Sequence, residues 1–272
     1  MVEKKAHIIT VSNEKGGTGK STISMHLAVL LMQEGFKTAV VDMDGRQGTL
    51  SRYIQNRCNF ARHNGLNLIV PQLITVSPRE NSGEYANHIS EIELALDEIA
   101  RTYDAVIIDT PGSKNYLFEE AHRLADTLIT PIGDSLIDLN VLSEIDENEP
   151  DKQHAGHYAQ FVWEIKKYRA QHGKPALNWI VAGNKISSLN SRNKTRFFEH
   201  LNRIAKIYGF RVAGGMKERV IYKELFLQGL TVLDLNSQAL KGRLTMSHLA
   251  AKQEIKNLAE FICPQAQKGE KQ

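Results

Sequence analysis

Between the β-branched run His7–Ser12, HIITVS, and a helical stretch from Ser21 stands NEKGGTGKST, Asn13 to Thr22. No other feature of the chain restricts its fold as tightly. Strand, glycine loop and helix in that order put the N-terminus of a helix at the end of a strand. Gly16, Gly17 and Gly19 bring no side chains, so the loop amides are able to point at a ligand's oxygens. An amide nest backed by a helix dipole is a phosphate site. In such a loop Gly16 to Gly19, with Thr18 among them, cradle the phosphates and Lys20 carries the ammonium for the terminal ones. Ser21 is placed to ligate Mg²⁺ and Thr22 to contact the α-phosphate. One position breaks the pattern G-x-x-x-x-G-K-[ST]. Aligned on Gly19-Lys20-Ser21, Glu14 stands where the first glycine belongs, and a second lysine, Lys15, follows it.

Two further carboxylate signals fit the same site. IIDTPG ends a strand at Asp109, the pattern of a carboxylate that orients Mg²⁺ through water, followed by a γ-phosphate-sensing turn at Thr110–Gly112. VVDMDG puts Asp42 and Asp44 at another strand end, and strand ends in open α/β sheets face the ligand crevice. Along the rest of the chain strand-like and helix-like segments alternate. Ile23, Leu27, Leu30 and Leu31 share one face of the helix after the loop, with Gly35 as its stop. QGTLSRYIQNR reads as a helix, as does the stretch through Tyr85, Ile89, Ile92, Leu96 and Ile99. DTLITPI and NWIVAGN read as strands, with a helix over Tyr158–Gln171 between them. A basic helix follows from about Asn190 to Tyr208, then FRVAGG, a short helix through Lys223–Phe226, the apolar run LTVLDL and a last helix, Ser247–Phe261. Alternation of Val/Ile-rich strands with helices predicts an α/β fold, a mostly parallel sheet with helices on both faces. We expect one domain over residues 1–263 and a disordered tail over 264–272.

Composition narrows the classes further. The chain has 272 residues, 42% hydrophobic and 24% charged, ordinary for a globular protein. No apolar run approaches the ~18–20 residues of a membrane span, and the N-terminus has no signal-peptide pattern, so a cytoplasmic location is expected. Cys58 and Cys263 follow no metal spacing. Charge is unevenly spread: Asn184–Lys223 holds ten Lys/Arg against two Glu, while Asp134–Asp151 holds seven acids and no Lys/Arg. One polyanion-friendly face and one acidic face follow. On the basic helix, at roughly 100° per residue, Phe197, Leu201, Ile204 and Tyr208 share a face opposite Arg192, Arg196, Arg203 and Lys206, with Glu199 within the stripe. Arg192, Lys194, Arg196, Arg203 and Arg219 are the candidates for DNA phosphates.

KGGTGKST resembles the deviant Walker A loop of the ParA/MinD ATPases, a SIMIBI-like branch of the P-loop NTPases. The resemblance implies ATP and Mg²⁺ as ligands and a sandwich homodimer, with Lys15 crossing to the partner's ATP as an arginine finger does in trans. Carried over, Lys20 is the phosphate lysine in cis and Ser21 the metal ligand. Asp44 orients the attacking water, Asp42 supports the metal with Asp109, and Asn184 contacts adenine, with a loop near Gly215 and Met216 closing over the base. Beyond the loop, DMDGRQGTLSRYIQNR, TPIGDSLIDLNVL and NRIAKIYGFRVAGGMKERVIYKELFLQGLTVLDL are similar to the MipZ family, which positions the division plane. That implies binding to ParB and to double-stranded DNA without sequence preference, inhibition of FtsZ assembly, and a nucleoid-associated, polar gradient. A ParA-type partition ATPase is the nearest alternative; a metabolic ligase or a reductase of the same fold is more distant. A MinD-like membrane ATPase needs an amphipathic C-terminal helix, and QAQKGEKQ supplies none. Residues 58–103 carry the weakest resemblance.

Overall fold

The computed structural model describes residues 5–145, 153–186, 191–235 and 245–262. Seven strands form one sheet: β1 (His7–Val11), β2 (Thr38–Asp42), β3 (Gln72–Thr75), β4 (Ala105–Asp109), β5 (Thr127–Ile132), β8 (Asn178–Ile186) and β9 (Arg211–Lys217). A short antiparallel pair, β6 (Ser143–Ile145) and β7 (Gln153–Ala155), stands apart. The large sheet has the order β3-β2-β4-β1-β5-β8-β9, with every pairing parallel. β2, β4 and β5 are buried from end to end, as expected of a sheet covered on both faces. Because the pairings are parallel, all C-terminal ends lie on one edge. β1 sits between β4 and β5, where the winding changes direction, so the crevice opens at the end of β1.

Alternate strand residues enter opposite cores. Val40, Ile107, Ile129 and Ile180 pack with α1 (Lys20–Gln33), α2 (Thr49–Asn64), α8 (Ile221–Gln228) and α9 (Met246–Ile262). On the other face, Val41, Val106 and Ile108 meet α3 (Tyr85–Thr102) and α4 (Tyr116–Leu124). Leu128, Trp179 and Val181 meet α4, α6 (His157–Gln171) and α7 (Ser191–Tyr208). A one-turn helix, α5 (Leu136–Leu139), follows β5. The expected single apolar face of α1 is an understatement. Residues Ile23 to Leu31 are all buried, because sheet, α2 and α9 enclose this helix on several sides. β3 and α4 had no counterpart in the reading of the sequence.

Leu230–Leu235 forms a buried turn closed by Asp234, whose Oδ2 accepts from Thr231 N and Oγ1 at 2.7 Å each. Arg57 of α2 reaches the same carboxylate with two bonds of 2.7 and 2.8 Å, and donates to Ile69 O and Gly229 O. Burial alone raises the Asp234 pKa; the bonds from Arg57 and Thr231 more than offset it and hold it below the usual range. Gly229 is tied to the same junction: it has φ +67°, and a Cβ there would lie 1.9 Å from Arg57 N. Nearby, buried His26 accepts from Val232 N at Nε2, which fixes its proton on Nδ1 toward Thr22 O, and burial pushes its pKa down to about 4. α1, α2 and the turn before α9 are thereby joined through polar bonds as well as apolar packing. The acidic stretch 134–151 lies partly outside the described residues, as do Cys263 and the tail.

A buried ion pair punishes the loss of one partner more than it rewards the presence of both. Arg57→Ala therefore lowers unfolding free energy by about 3–5 kcal/mol, measured by urea denaturation. Replacing Arg57 and Asp234 together by Met and Leu restores much of the loss.

Candidate nucleotide-binding site

Asn13 starts the loop. It is buried, donates from Nδ2 to Pro131 O at 2.7 Å and accepts Lys15 N on Oδ1 at 2.8 Å, an Asx turn that lifts the chain off β1. Thr18 Oγ1 and Lys20 Nζ both donate to Lys15 O, at 3.3 and 3.2 Å. Gly17 and Gly19 have φ +72° and +89°, the left-handed region that only glycine enters freely. A Cβ on Gly112 would lie 3.2 Å from Gly16 Cα, so the DTPG turn packs directly on the loop and needs its glycine.

α1 begins with no side chain capping it. Its first amides have no intrahelical partners, and the helix dipole adds partial positive charge at that end. Lys20, only 7% exposed, places a full positive charge in the same turn. Burial pulls its pKa down, while Asp109 and Asp44 oppose that shift. Asp109 is buried at the end of β4, and burial pushes its carboxyl up to about 7. A bond with the Ser21 hydroxyl and the charge of Lys20 oppose the rise, and Asp42 adds to it. Asp44, half-buried, is also raised by burial, with a backbone bond from Gln47 opposing. Hydroxyl and carboxylate oxygens are the hard donors that Mg²⁺ takes, usually through one or two carboxylates plus substrate phosphates. Ser21 and Asp109 fit that set and would hold the ion.

Asp42 is fully buried, and both its oxygens are engaged: Oδ1 accepts Asp44 N at 3.0 Å, while Oδ2 accepts Ser51 N at 2.9 Å and Ser51 Oγ at 2.6 Å. Ser51 is in the first turn of α2, so Asp42 anchors that helix N-terminus and the 43–50 turn carrying Asp44. That anchoring stands beside the metal support expected of it.

The two lysines differ in setting. Lys20 is inside, whereas the Lys15 side chain is 56% exposed at the rim and paired with Asp138 of α5 at 2.6 Å. Glu14, at the missing-glycine position, pairs with His157 of α6 at 2.6 Å. Neither contact is announced by a local pattern, since both cross more than a hundred residues.

A cavity of about 530 Å³ runs from Gly16, Lys20 and Asp44 to Met216, Tyr222 and Phe226, within the ~300–1,000 Å³ typical of ligand pockets. Ser21 and Thr22 line it. Met216 is buried in β9, paired in register with Asn184 of β8, so the expected closing loop is a strand with a bulge at Gly215, φ +65°. Asn184 donates to Thr18 O, and Lys185, which the sequence reading passed over, donates to Gly17 O.

On α7, Phe197, Leu201 and Ile204 are buried while Arg196, Arg203 and Lys206 are exposed, beside exposed Glu199. The side chains of Arg192 and Lys194 lie outside the described residues. Arg219 is set apart from them, on the segment before α8, and its guanidinium is engaged by both oxygens of Glu254. That pairing offsets its charge.

A phosphate loop after the central strand of a parallel sheet, with a carboxylate at the end of the adjoining strand, defines a P-loop NTPase of the ParA/MinD kind. The chain belongs to the MipZ family of ATPases, whose pattern matches residues 7–262. It is 29% identical over 158 residues to the chromosome partitioning protein ParA of Myxococcus xanthus, covering 51% of this chain and 56% of that one. It is 27% identical over 158 residues to the sporulation initiation inhibitor Soj of Bacillus subtilis, covering 51% and 62%. The chain thus spans about half the length of the curated relatives it matches. Its fold is that of a plasmid partition protein from Borrelia burgdorferi bound to AMPPNP, with TM-score 0.59, 18% identity and coverage of 94% and 98%. It is also that of the cell division ATPase MinD of Pyrococcus furiosus, with TM-score 0.57, 12% identity and coverage of 94% and 99%. Among the described residues no helix is long and apolar enough to cross a membrane.

A buried cation facing an uncapped helix end is costly until an anion arrives. Lys20→Met therefore raises the melting temperature of the nucleotide-free protein while weakening ADP binding by about tenfold to a hundredfold, the range of a lost charge-assisted contact. Differential scanning fluorimetry and calorimetric titration read the two effects separately.

Proposed function

We propose that this chain is an ATP-dependent dimerising switch that places the division site. The observation that carries the reading is the placement of its two loop lysines. Lys20 stands inside the cavity, where it serves its own chain's nucleotide. Lys15 stands outside, on a long exposed side chain at the rim. One chain then holds half of an active site, and two chains facing each other complete both halves. On binding, Lys20 and the α1 amides hold the phosphates; Ser21 and Asp109 would hold Mg²⁺, which would supply neutralisation of the phosphate charge. Asp44, its pKa raised by burial, orients water and accepts its proton. Lys15 exchanges Asp138 for the partner's phosphates and stabilises the charge that develops there. Turnover of the lone chain is slow, near the ~10⁻⁴–10⁻² s⁻¹ of nucleotidases that lack a cation in trans.

Family membership and the exposed basic side of α7 support the downstream steps: binding of the monomer to ParB, binding of the dimer to DNA through phosphates, and inhibition of FtsZ assembly. The site of action would be cytoplasmic and nucleoid-associated, graded from the poles. A ParA-type partition role uses the same switch and differs only in the partner that reads it.

Asp44→Ala with ATP elutes as a dimer, and without ATP as a monomer; an Asp44→Ala protein that stays monomeric with ATP contradicts the role. The dimer's affinity for duplex DNA of random sequence falls with salt by a log–log slope of about −0.9 per phosphate contacted. Arg196→Ala/Arg203→Ala weakens that binding and makes the slope shallower by about two. Fluorescence anisotropy at several salt concentrations reads both.

A further inference from the structure

The end of β8 carries an anomaly that the ATPase reading leaves unexplained. Among the described residues, Lys185 is the only non-glycine with positive φ, at 55°. In that conformation a Cβ crowds the following carbonyl oxygen, so glycine is the usual occupant. Pairing with β9 is irregular on both sides of Asn184, and Gly183 and Gly215 meet so closely that a Cβ on Gly215 would lie 1.5 Å from Gly183 O. The strand end is thus bent by two glycines, yet the strained position itself keeps a lysine. Retained strain of this kind points to what the side chain does.

The Lys185 ammonium donates to Gly17 O, and next to it the Asn184 amide donates to Thr18 O. A Cβ on Gly19 would fall 2.1 Å from Asn184 Nδ2, so this close approach also explains the glycine there. In a trans peptide the carbonyl of one residue and the N–H of the next point in opposite directions. Holding the carbonyls of Gly17 and Thr18 toward β8 therefore turns the amides of Thr18 and Gly19 the other way. Two successive amides turned to one side are the start of an anion nest, and the ammonium adds positive charge beside it.

The geometry points to Asn184 and Lys185 as a clamp that preorganises the phosphate loop: through their bonds to Thr18 O and Gly17 O they are positioning residues for the phosphate chain of the nucleotide. The inference rests on residues 13–22 being the nucleotide loop. It gives the glycine-rich loop a fixed shape before ligand arrives, which flexible glycines alone do not provide.

Calorimetric titration with ADP, GDP and inorganic tripolyphosphate tests it, beside thermal melting without ligand. Lys185→Gly relieves the backbone strain while deleting the ammonium. Its melting temperature should equal or exceed that of the parent, yet ADP and tripolyphosphate should both bind about tenfold more weakly, the loss expected for one charge-assisted hydrogen bond. Lys185→Arg should restore most of the affinity, and Lys185→Met should not. Asn184→Ala should weaken tripolyphosphate as well as ADP and GDP. Unchanged ADP binding in Lys185→Gly and Lys185→Met overturns the clamp. So does an Asn184→Ala protein that binds tripolyphosphate as tightly as the parent, because a misshapen loop acts on every phosphate chain. If the parent protein binds none of the three ligands and Lys20→Met changes nothing, the nucleotide reading itself falls, and the clamp with it.

Discussion

A helix whose positive end has no cap, sharing its first turn with a buried ammonium, is the constraint on which the rest of this structure depends. α1 is enclosed along most of its length, so its N-terminus cannot tilt into solvent to satisfy its amides. The chain answers by surrounding that end with polar groups fixed from elsewhere. Asp109 at the end of β4 and Asp44 after β2 bring negative charge, Gly112 lets the DTPG turn close on Gly16, and Lys15 O receives the Lys20 ammonium. Two of these groups titrate abnormally for one reason: burial disfavours their charged forms, pulling Lys20 down and Asp109 up. A phosphate with its divalent cation relieves both at once. The nucleotide-free site is the less comfortable state, which is what a switch worked by ligand binding requires.

Asp42 and Arg57 extend that end of α1 into the fold. Asp42 fastens the Asp44 turn to the first turn of α2 through Ser51. Further along α2, Arg57 is fastened to the 229–235 turn that follows α8, and α8 lines the far end of the cavity. The Asp44 turn and the distal wall of the pocket are therefore both tied to one helix.

What the sequence made legible follows the range of the interactions involved. The glycine loop, the buried strands and the two faces of α7 are written in local periodicity, and the structure has them close to where periodicity puts them. The polar groups that only distant contacts explain were not legible. Lys185 is 168 positions from Gly17, and Asp138 is 123 from Lys15; no local pattern announces either. The strand-end position of Asp42 points to the metal, because strand-end carboxylates in such sheets face the crevice, and does not show its hold on α2. Its partner Ser51 is near in sequence, but the bond depends on how α2 docks. LTVLDL has the composition of a strand, yet Asp234 folds it into a turn to meet Arg57. Arg219 was counted with the basic helix from its place in the charge balance, whereas its partner Glu254 comes from α9.

The central claim is that each active site is assembled from two chains, with Lys15 acting across the interface and Asp44 within its own chain. Mixing Lys15→Ala protein with Asp44→Ala protein tests it most directly. In a mixed dimer, one site combines an intact Asp44 with the partner's intact Lys15, and the other site has neither. The account predicts that each variant alone hydrolyses almost no ATP and that the mixture regains a substantial fraction of the parent rate. A mixture no more active than the sum of its parts would place both residues in one chain's own site and contradict the account.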